Sequence, residues 1–109
     1  MKKIALKSVR GSKTGRPIMV LLDLLGRRMA LRIMWELSKA VGPMTFRDLQ
    51  DAAETNPSVL NARLKELREA RIISHEGEGY VLTETGHSLS ATLKPLHKWA
   101  GAWAQVADD

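Results

Sequence analysis

TNPSVLNARLKELREARII, residues 55–73, begins with residues suited to a helix start and ends in a pair suited to a strand. Asn56 offers a side-chain oxygen to cap a helix, and Pro57 suits the first helical position, where no backbone N–H is needed. Leu60, Leu64 and Leu67 then recur along one face of a helix expected over about 57–70. On a wheel of about 100° per residue centred on Leu60, the side chains of Leu64, Leu67 and Arg71 turn inward. Ser58, Ala62, Lys65 and Glu69 turn outward, with Asn61 and Arg63 on the two shoulders. Many exposed helices carry such a face, so the flanking elements have to say what it is for.

Upstream, Glu54-Thr55 is a tight connection from a helix expected over 46–53, which Thr45 caps and whose Phe46, Leu49 and Ala53 face inward. Met44, Thr45 and Phe46 read as a short extended piece, and Val41-Gly42-Pro43 ends a helix expected over about 27–40. Ala30, Ile33, Met34 and Leu37 mark the buried face of that helix. A first helix, 17–25, opens with Arg16-Pro17 and stops at Gly26. It is apolar nearly all round (Ile18, Met19, Val20, Leu21, Leu22, Leu24, Leu25), more than one small domain easily covers, so a partner subunit is expected on one side.

Downstream, two strands are expected at 72–75 and 79–82, joined through Glu76-Gly77-Glu78 as a hairpin with a very short tip. Thr83 caps a final helical region. Pro95 lacks a backbone N–H and crowds the carbonyl of Ala91, which predicts a kink or break near Leu93–Lys94. Leu96, Trp99, Ala100, Trp103 and Ala107 continue an apolar stripe beyond it. Helices, a tight turn into the quoted helix, and then a hairpin give the order of a winged helix-turn-helix: a mainly α (α+β) fold with a short two-stranded wing.

The chain of 109 residues is 44% hydrophobic and 27% charged, which suits one globular domain with one modest core. It has no cysteine, so disulfides, thiolate chemistry and cysteine-based zinc sites are excluded. The apolar run from Ile18 to Leu25, interrupted only by Asp23, is too short to span a bilayer. The N-terminus lacks the pattern of a secretory signal, and a cytoplasmic protein is expected. The net charge of +5 is unevenly placed. Residues 1–16 hold six basic and no acidic side chains, whereas residues 17–109 hold eleven basic and twelve acidic ones. The expected division is a basic tail at 1–15 and one domain at 16–109. The tail is either a phosphate-binding arm or a solubilising extension.

From Arg16 to about Ala104 the chain resembles the HxlR family of winged-helix transcriptional regulators, relatives of the MarR group. The similar segments are LDLLGRRMALRIMWEL (22–37), GPMTFRDLQ (42–50), VLNARLKELREARII (59–73), YVLTETG (80–86) and LKPLHKWAGAW (93–103), in the family's order. The resemblance implies a homodimer that binds double-stranded DNA, with the helix at about 57–70 in the major groove. It makes Arg63 the arginine of the recognition-helix motif; the other reading pairs Arg63 with Glu66 or a neighbouring acid. It places Arg28 where the family commonly has a phosphate-anchoring lysine, and Thr45 and Arg47 where DNA-backbone contacts are usual.

With Ser58, Asn61, Ala62 and Lys65 of the outward face, these residues form the expected DNA-binding set. The expected dimer interface is Ile18, Leu22, Leu25, Leu93, Leu96, Trp99 and Trp103. Three departures from the family pattern stand out. The sensing cysteine that many members carry aligns with Arg16, the family tryptophan early in the second helix is Met29, and the wing is short with Glu76 and Glu78 at its tip. Two acids would repel phosphate, so this wing is not expected to enter the minor groove.

Other signals are weak. GSKTG (11–15) lacks the spacing and preceding strand of a phosphate loop. His75, His87 and His97 share no metal-ligand spacing, and no nucleophile, base and acid set can be assembled. No enzyme activity, cofactor or metal is therefore expected. A small-molecule effector between the first and last helices is the alternative use of Trp99 and Trp103. A winged-helix protein-interaction module without a DNA target is the alternative function.

Overall fold

A computed structural model describes residues 15–108. The expected basic tail lies, apart from Gly15, outside the described residues. The elements run α1 (Pro17–Leu25), α2 (Ala30–Lys39), α3 (Phe46–Ala53), α4 (Pro57–Glu69), β1 (Ile73–Glu76), β2 (Gly79–Leu82) and α5 (Glu84–Ala107). The strands form an antiparallel hairpin in which Ile73 faces Leu82 and Glu76 faces Gly79, leaving Gly77 and Glu78 as the tip. Gly77 has φ +60°, as a two-residue hairpin turn demands.

Met44 adds a bridge to the hairpin: its N–H donates to the Tyr80 carbonyl at 3.1 Å and its carbonyl accepts from the Tyr80 N–H at 2.8 Å. Gly79 is needed for that approach, since a Cβ there would lie 2.7 Å from Pro43 Cβ and 3.0 Å from the Met44 carbonyl oxygen. The segment leading into α3 is thus pinned to the wing, which fixes where the helix-turn-helix sits.

One core joins α1, α2, α3, α4 and the hairpin. Ile33, Leu49, Leu60, Leu67 and Ile73 are its largest fully buried side chains, and each contributes about 1.5–3 kcal/mol by leaving water. The apolar periodicity of α4 is confirmed, with Leu60, Leu64 and Leu67 all buried.

Four local expectations are corrected. The second helix starts at Ala30 rather than near residue 27, because Met29 is left-handed (φ 71°) and holds Arg27 and Arg28 in the turn before it. Arg71 is exposed rather than inward, because α4 has already ended. Arg71 is left-handed (φ 62°), its N–H donates to the Arg68 carbonyl, and the Ile72 N–H donates to the Leu67 carbonyl. This is the bond pattern of a Schellman stop, and it hands the buried place to Ile72.

The first strand consequently begins one residue later than expected, at Ile73. Finally, α5 is one helix of 24 residues that runs through Pro95 without the expected break. Proline removes a single helical N–H, and long helical stretches on both sides maintain the rest of the ladder.

Candidate nucleic-acid interface

The turn between α3 and α4 is built from caps at both ends. Thr45 Oγ1 accepts from the Asp48 N–H at 3.1 Å while Asp48 Oδ2 accepts from the Thr45 N–H at 3.4 Å, a reciprocal capping box. At the other end of α3, Glu54 is left-handed (φ 54°), its N–H donates to the Asp51 carbonyl and the Thr55 N–H donates to the Gln50 carbonyl. This is a second Schellman stop, in a position where glycine is the common residue. Asn56 Oδ1 then accepts from the Val59 N–H at 2.9 Å and starts α4.

On α4, Ser58, Asn61 and Lys65 are exposed and Ala62 is half-buried. Arg47, in the first turn of α3, is exposed, and Thr45 beside it is half-buried with its hydroxyl engaged in the cap. Arg28 is exposed in the corner between α1 and α2, and its carbonyl, not its guanidinium, is in use. Exposed acids, Asp51 and Glu54, occupy the end of α3 and the turn. The exposed cations of α3, α4 and the α1–α2 corner are Arg47, Lys65, Arg68 and Arg28. The wing tip stands apart, with Glu76 and Glu78 exposed.

Arg63 does not share the outward face. Its Nη1 donates to the Arg28 carbonyl at 3.2 Å, and its Nε lies 2.8 Å from Glu66 Oε1. Neither Nε nor Oε1 makes a well-directed hydrogen bond, so that contact is one of charge. Arg63 is 17% exposed, and of the two readings of this residue the ion pair with Glu66 is the one formed. Arg27 donates to Glu66 Oε2 through Nη1 and to Asp23 Oδ2 through Nη2 at 3.2 Å. Burial alone would lower the pKa of Arg27, but its hydrogen bonds and charge contacts with Glu66 and then Asp23 outweigh that and raise it above the usual guanidinium range.

This cluster was missed as a unit. The pairs Asp23–Arg27 and Arg63–Glu66 are legible as helical spacings of four and three. Their union across the fold is not.

The apolar residues expected at a dimer interface divide. Ile18, Leu22, Leu96, Trp99 and Trp103 are each more than half exposed, and the Trp99 and Trp103 rings stack with centroids 6.3 Å apart. Leu25 is 7% exposed and belongs to the chain's own core, and Leu93 is half-buried against that core. The cleft lined by Leu22, Asp23, Gly26, Arg27, Arg28, Arg63 and Glu66 is open and charged and contains neither Trp99 nor Trp103, the residues of the alternative effector pocket between α1 and α5. No group of three or more His, Cys, Asp or Glu side chains able to hold a metal occurs among the described residues. No helix among them is long and apolar enough to cross a membrane.

This architecture has known counterparts. An uncharacterized HTH-type transcriptional regulator of Methanocaldococcus jannaschii is 23% identical over 93 residues, covering 81% of this chain and 86% of the relative. The crystal structure of a possible HxlR family transcriptional factor from Thermoplasma volcanium superposes with a TM-score of 0.70 at 24% identity, over 82% of this chain and 85% of that one. The quinone-bound YodB of B. subtilis superposes with a TM-score of 0.72 at 29% identity, over 78% and 96%. The model of the HxlR-like helix-turn-helix family matches residues 24–108. That span takes in α2 through α5, including the capped turn and the wing, and on it the chain belongs to the HxlR-like helix-turn-helix family of DNA-binding transcriptional regulators.

Proposed function

We propose that this chain acts as a homodimer that reads a specific DNA sequence with α4 in the major groove. The observation that carries the reading is the division of charge on α4. Arg63 and Glu66 are tied inward to the α1–α2 corner, which leaves a slim outward face of Ser58, Asn61 and Ala62 at the helix's N-terminal half, followed by Lys65. A groove about 12 Å wide admits a helix, and short side chains let its axis come close to base edges. Asn61 is the hydrogen-bonding reader, best matched to the edge of an adenine. Lys65, Arg47 and Arg28 serve phosphates, joined by the Thr45 hydroxyl. Arg63 is left out of the base-reading set because it is only 17% exposed, paired with Glu66 and bonded to the Arg28 carbonyl.

The second copy covers Ile18 and Leu22 of α1 and Leu96, Trp99 and Trp103 of α5. A soluble monomer rarely leaves so many large apolar side chains in water. A two-fold dimer then presents two α4 helices to half-sites about one helical turn, or a multiple of it, apart. The basic tail adds phosphate contacts that carry no sequence information.

The test is selection of a site from random DNA with the purified chain, followed by binding of Asn61→Ala and Lys65→Ala to the selected site and to random duplex. Asn61→Ala loses more affinity on the selected site than on random duplex. Lys65→Ala loses on both alike, and its dependence on salt falls by about one phosphate contact. Equal losses for Asn61→Ala on both duplexes refute base reading. Enrichment of no sequence would favour a protein-interaction module.

A further inference from the structure

Four charged side chains tie the reading helix to the helix that carries the proposed dimer face. Asp23 in α1 accepts from Arg27 at 3.2 Å, and Arg27 also donates to Glu66 in α4, 39 residues along the chain. Arg63, also in α4, flanks the same carboxylate and reaches the Arg28 carbonyl at 3.2 Å. The four side chains are between 17% and 26% exposed, so their attraction is only partly screened by solvent. The corner they grip is the turn that the left-handed Met29 creates. Asp23 directly follows Leu22, one of the exposed apolar residues assigned to the second copy.

The geometry points to a role for this cluster that rests on the dimeric reading proposed above. Asp23, Arg27, Arg63 and Glu66 are positioning residues that set the angle of α4 against the α1 dimer face, and so the half-site spacing that the dimer accepts. Leu60, Leu64 and Leu67 keep α4 in the core, but apolar packing is non-directional. The hydrogen bonds of Arg27 to Glu66 and Asp23 and of Arg63 to the Arg28 carbonyl are directional and resist a twist of the helix about its axis. In a two-fold dimer each reading helix relates to the other through the interface, so an angular change at one corner is doubled between the two. One added base pair moves a half-site by about 3.4 Å and turns it by roughly 35°. A dimer with stiff corners discriminates against that change, and one with loose corners follows it.

The experiment uses the full chain and its selected site. Affinity is measured for that site and for versions with the half-sites one base pair closer or farther apart, with wild type, Glu66→Gln, Arg63→Lys and Asp23→Asn. Circular dichroism and urea midpoints establish that each variant is folded. Wild type loses about tenfold or more on a one-base-pair change, comparable to a mismatched base. Glu66→Gln and Arg63→Lys shrink that loss to about threefold or less, while base substitutions inside a half-site keep their wild-type penalties.

Arg63→Lys retains the positive charge but not the planar fork, so its salt dependence stays that of wild type. Asp23 meets only Arg27 in the cluster, and Asp23→Asn gives a smaller relaxation that can be read even if Glu66→Gln is unfolded. Unchanged spacing selectivity in the folded variants overturns the inference. Loss of base discrimination in Arg63→Lys also overturns it, by making Arg63 a reader. If wild type selects no site, the dimeric reading itself falls, and this inference with it.

Discussion

Gly86→Ala sets local helix propensity against packing, and the two predict opposite signs. Gly86 lies in the first turn of α5, and alanine there would gain about 1 kcal/mol of helix propensity. A Cβ at this position, however, would stand 2.1 Å from the Ile72 carbonyl oxygen and 3.1 Å from Leu82 Cδ2. Relief needs a separation of about 1 Å between the start of α5 and Ile72, since real Cβ contacts essentially never fall under 3.0 Å.

That shift strains the joint where three hydrogen bonds meet. The Thr83 N–H donates to the Ile72 carbonyl at 3.0 Å, the Thr83 hydroxyl donates to the Arg71 carbonyl at 2.7 Å, and the Gly86 N–H donates to Thr83 Oγ1 at 3.0 Å. At about 1 kcal/mol each, with a further loss of roughly 1 kcal/mol in the packing of Ile72 and Leu82, the penalty is about 4 kcal/mol. Net of the propensity gain, Gly86→Ala destabilises by about 3 kcal/mol. For a domain of this size the melting temperature falls by roughly 10–20 °C, measured by circular dichroism at fixed protein concentration.

Gly101→Ala in the same helix is the control. Nothing lies within 4 Å of the place its methyl group would take, and it sits about 200° round the helix from Trp99 and Trp103. It stabilises by about 0.5–1 kcal/mol. A Gly86→Ala protein as stable as wild type would refute the close approach of α5 to Ile72.

Glu54→Gly relieves a left-handed residue at the end of α3, where its neighbours' hydrogen bonds hold the turn. It raises stability by about 0.5–1 kcal/mol in urea titrations, even though glycine lowers helix propensity elsewhere. Leu67→Ala, at a side chain with no exposure, lowers stability by about 2–5 kcal/mol in the same titrations. Trp99→Glu puts a charge into the proposed interface while touching a side chain that is 61% exposed within one chain. Sedimentation then reads a monomer whose single-chain fold, by circular dichroism, is intact.

The parts of the fold written by local rules were legible. Asn56-Pro57 and the leucine spacing gave α4, Thr45 as a cap gave the start of α3, and the apolar run after Pro17 gave α1. The corrected boundaries share a physical cause. Met29 and Arg71 adopt left-handed backbone without being glycine, and a turn that does not use the residue type it favours sends no signal in composition. Backbone bonds hold Arg71 there, its own N–H to the Arg68 carbonyl and the Ile72 N–H to the Leu67 carbonyl, and the corner at Met29 takes the bond from Arg63 to the Arg28 carbonyl. Pro95 failed as a helix breaker for a related reason: one missing donor in a 24-residue helix is a local loss, not a termination.

The two shoulders of α4 show why the candidate site was harder to see than the fold. On the wheel Asn61 lies about 100° from Leu60 on one side and Arg63 about 60° on the other, so both are shoulders and Arg63 is the nearer to the buried face. The shoulder at Asn61 meets solvent, whereas the one at Arg63 meets the α1–α2 corner, where Arg63 donates to the Arg28 carbonyl while pairing with Glu66 of its own helix. Periodicity places Arg63 nearer the buried face, but it cannot name the acceptor, which lies in a segment 35 residues away. A basic residue on a reading helix is therefore assignable to DNA only after its internal acceptors are known. By that criterion Lys65 and Arg68, both exposed, are the cations of α4 with donors to give to a phosphate, and Arg63 governs how the helix is held.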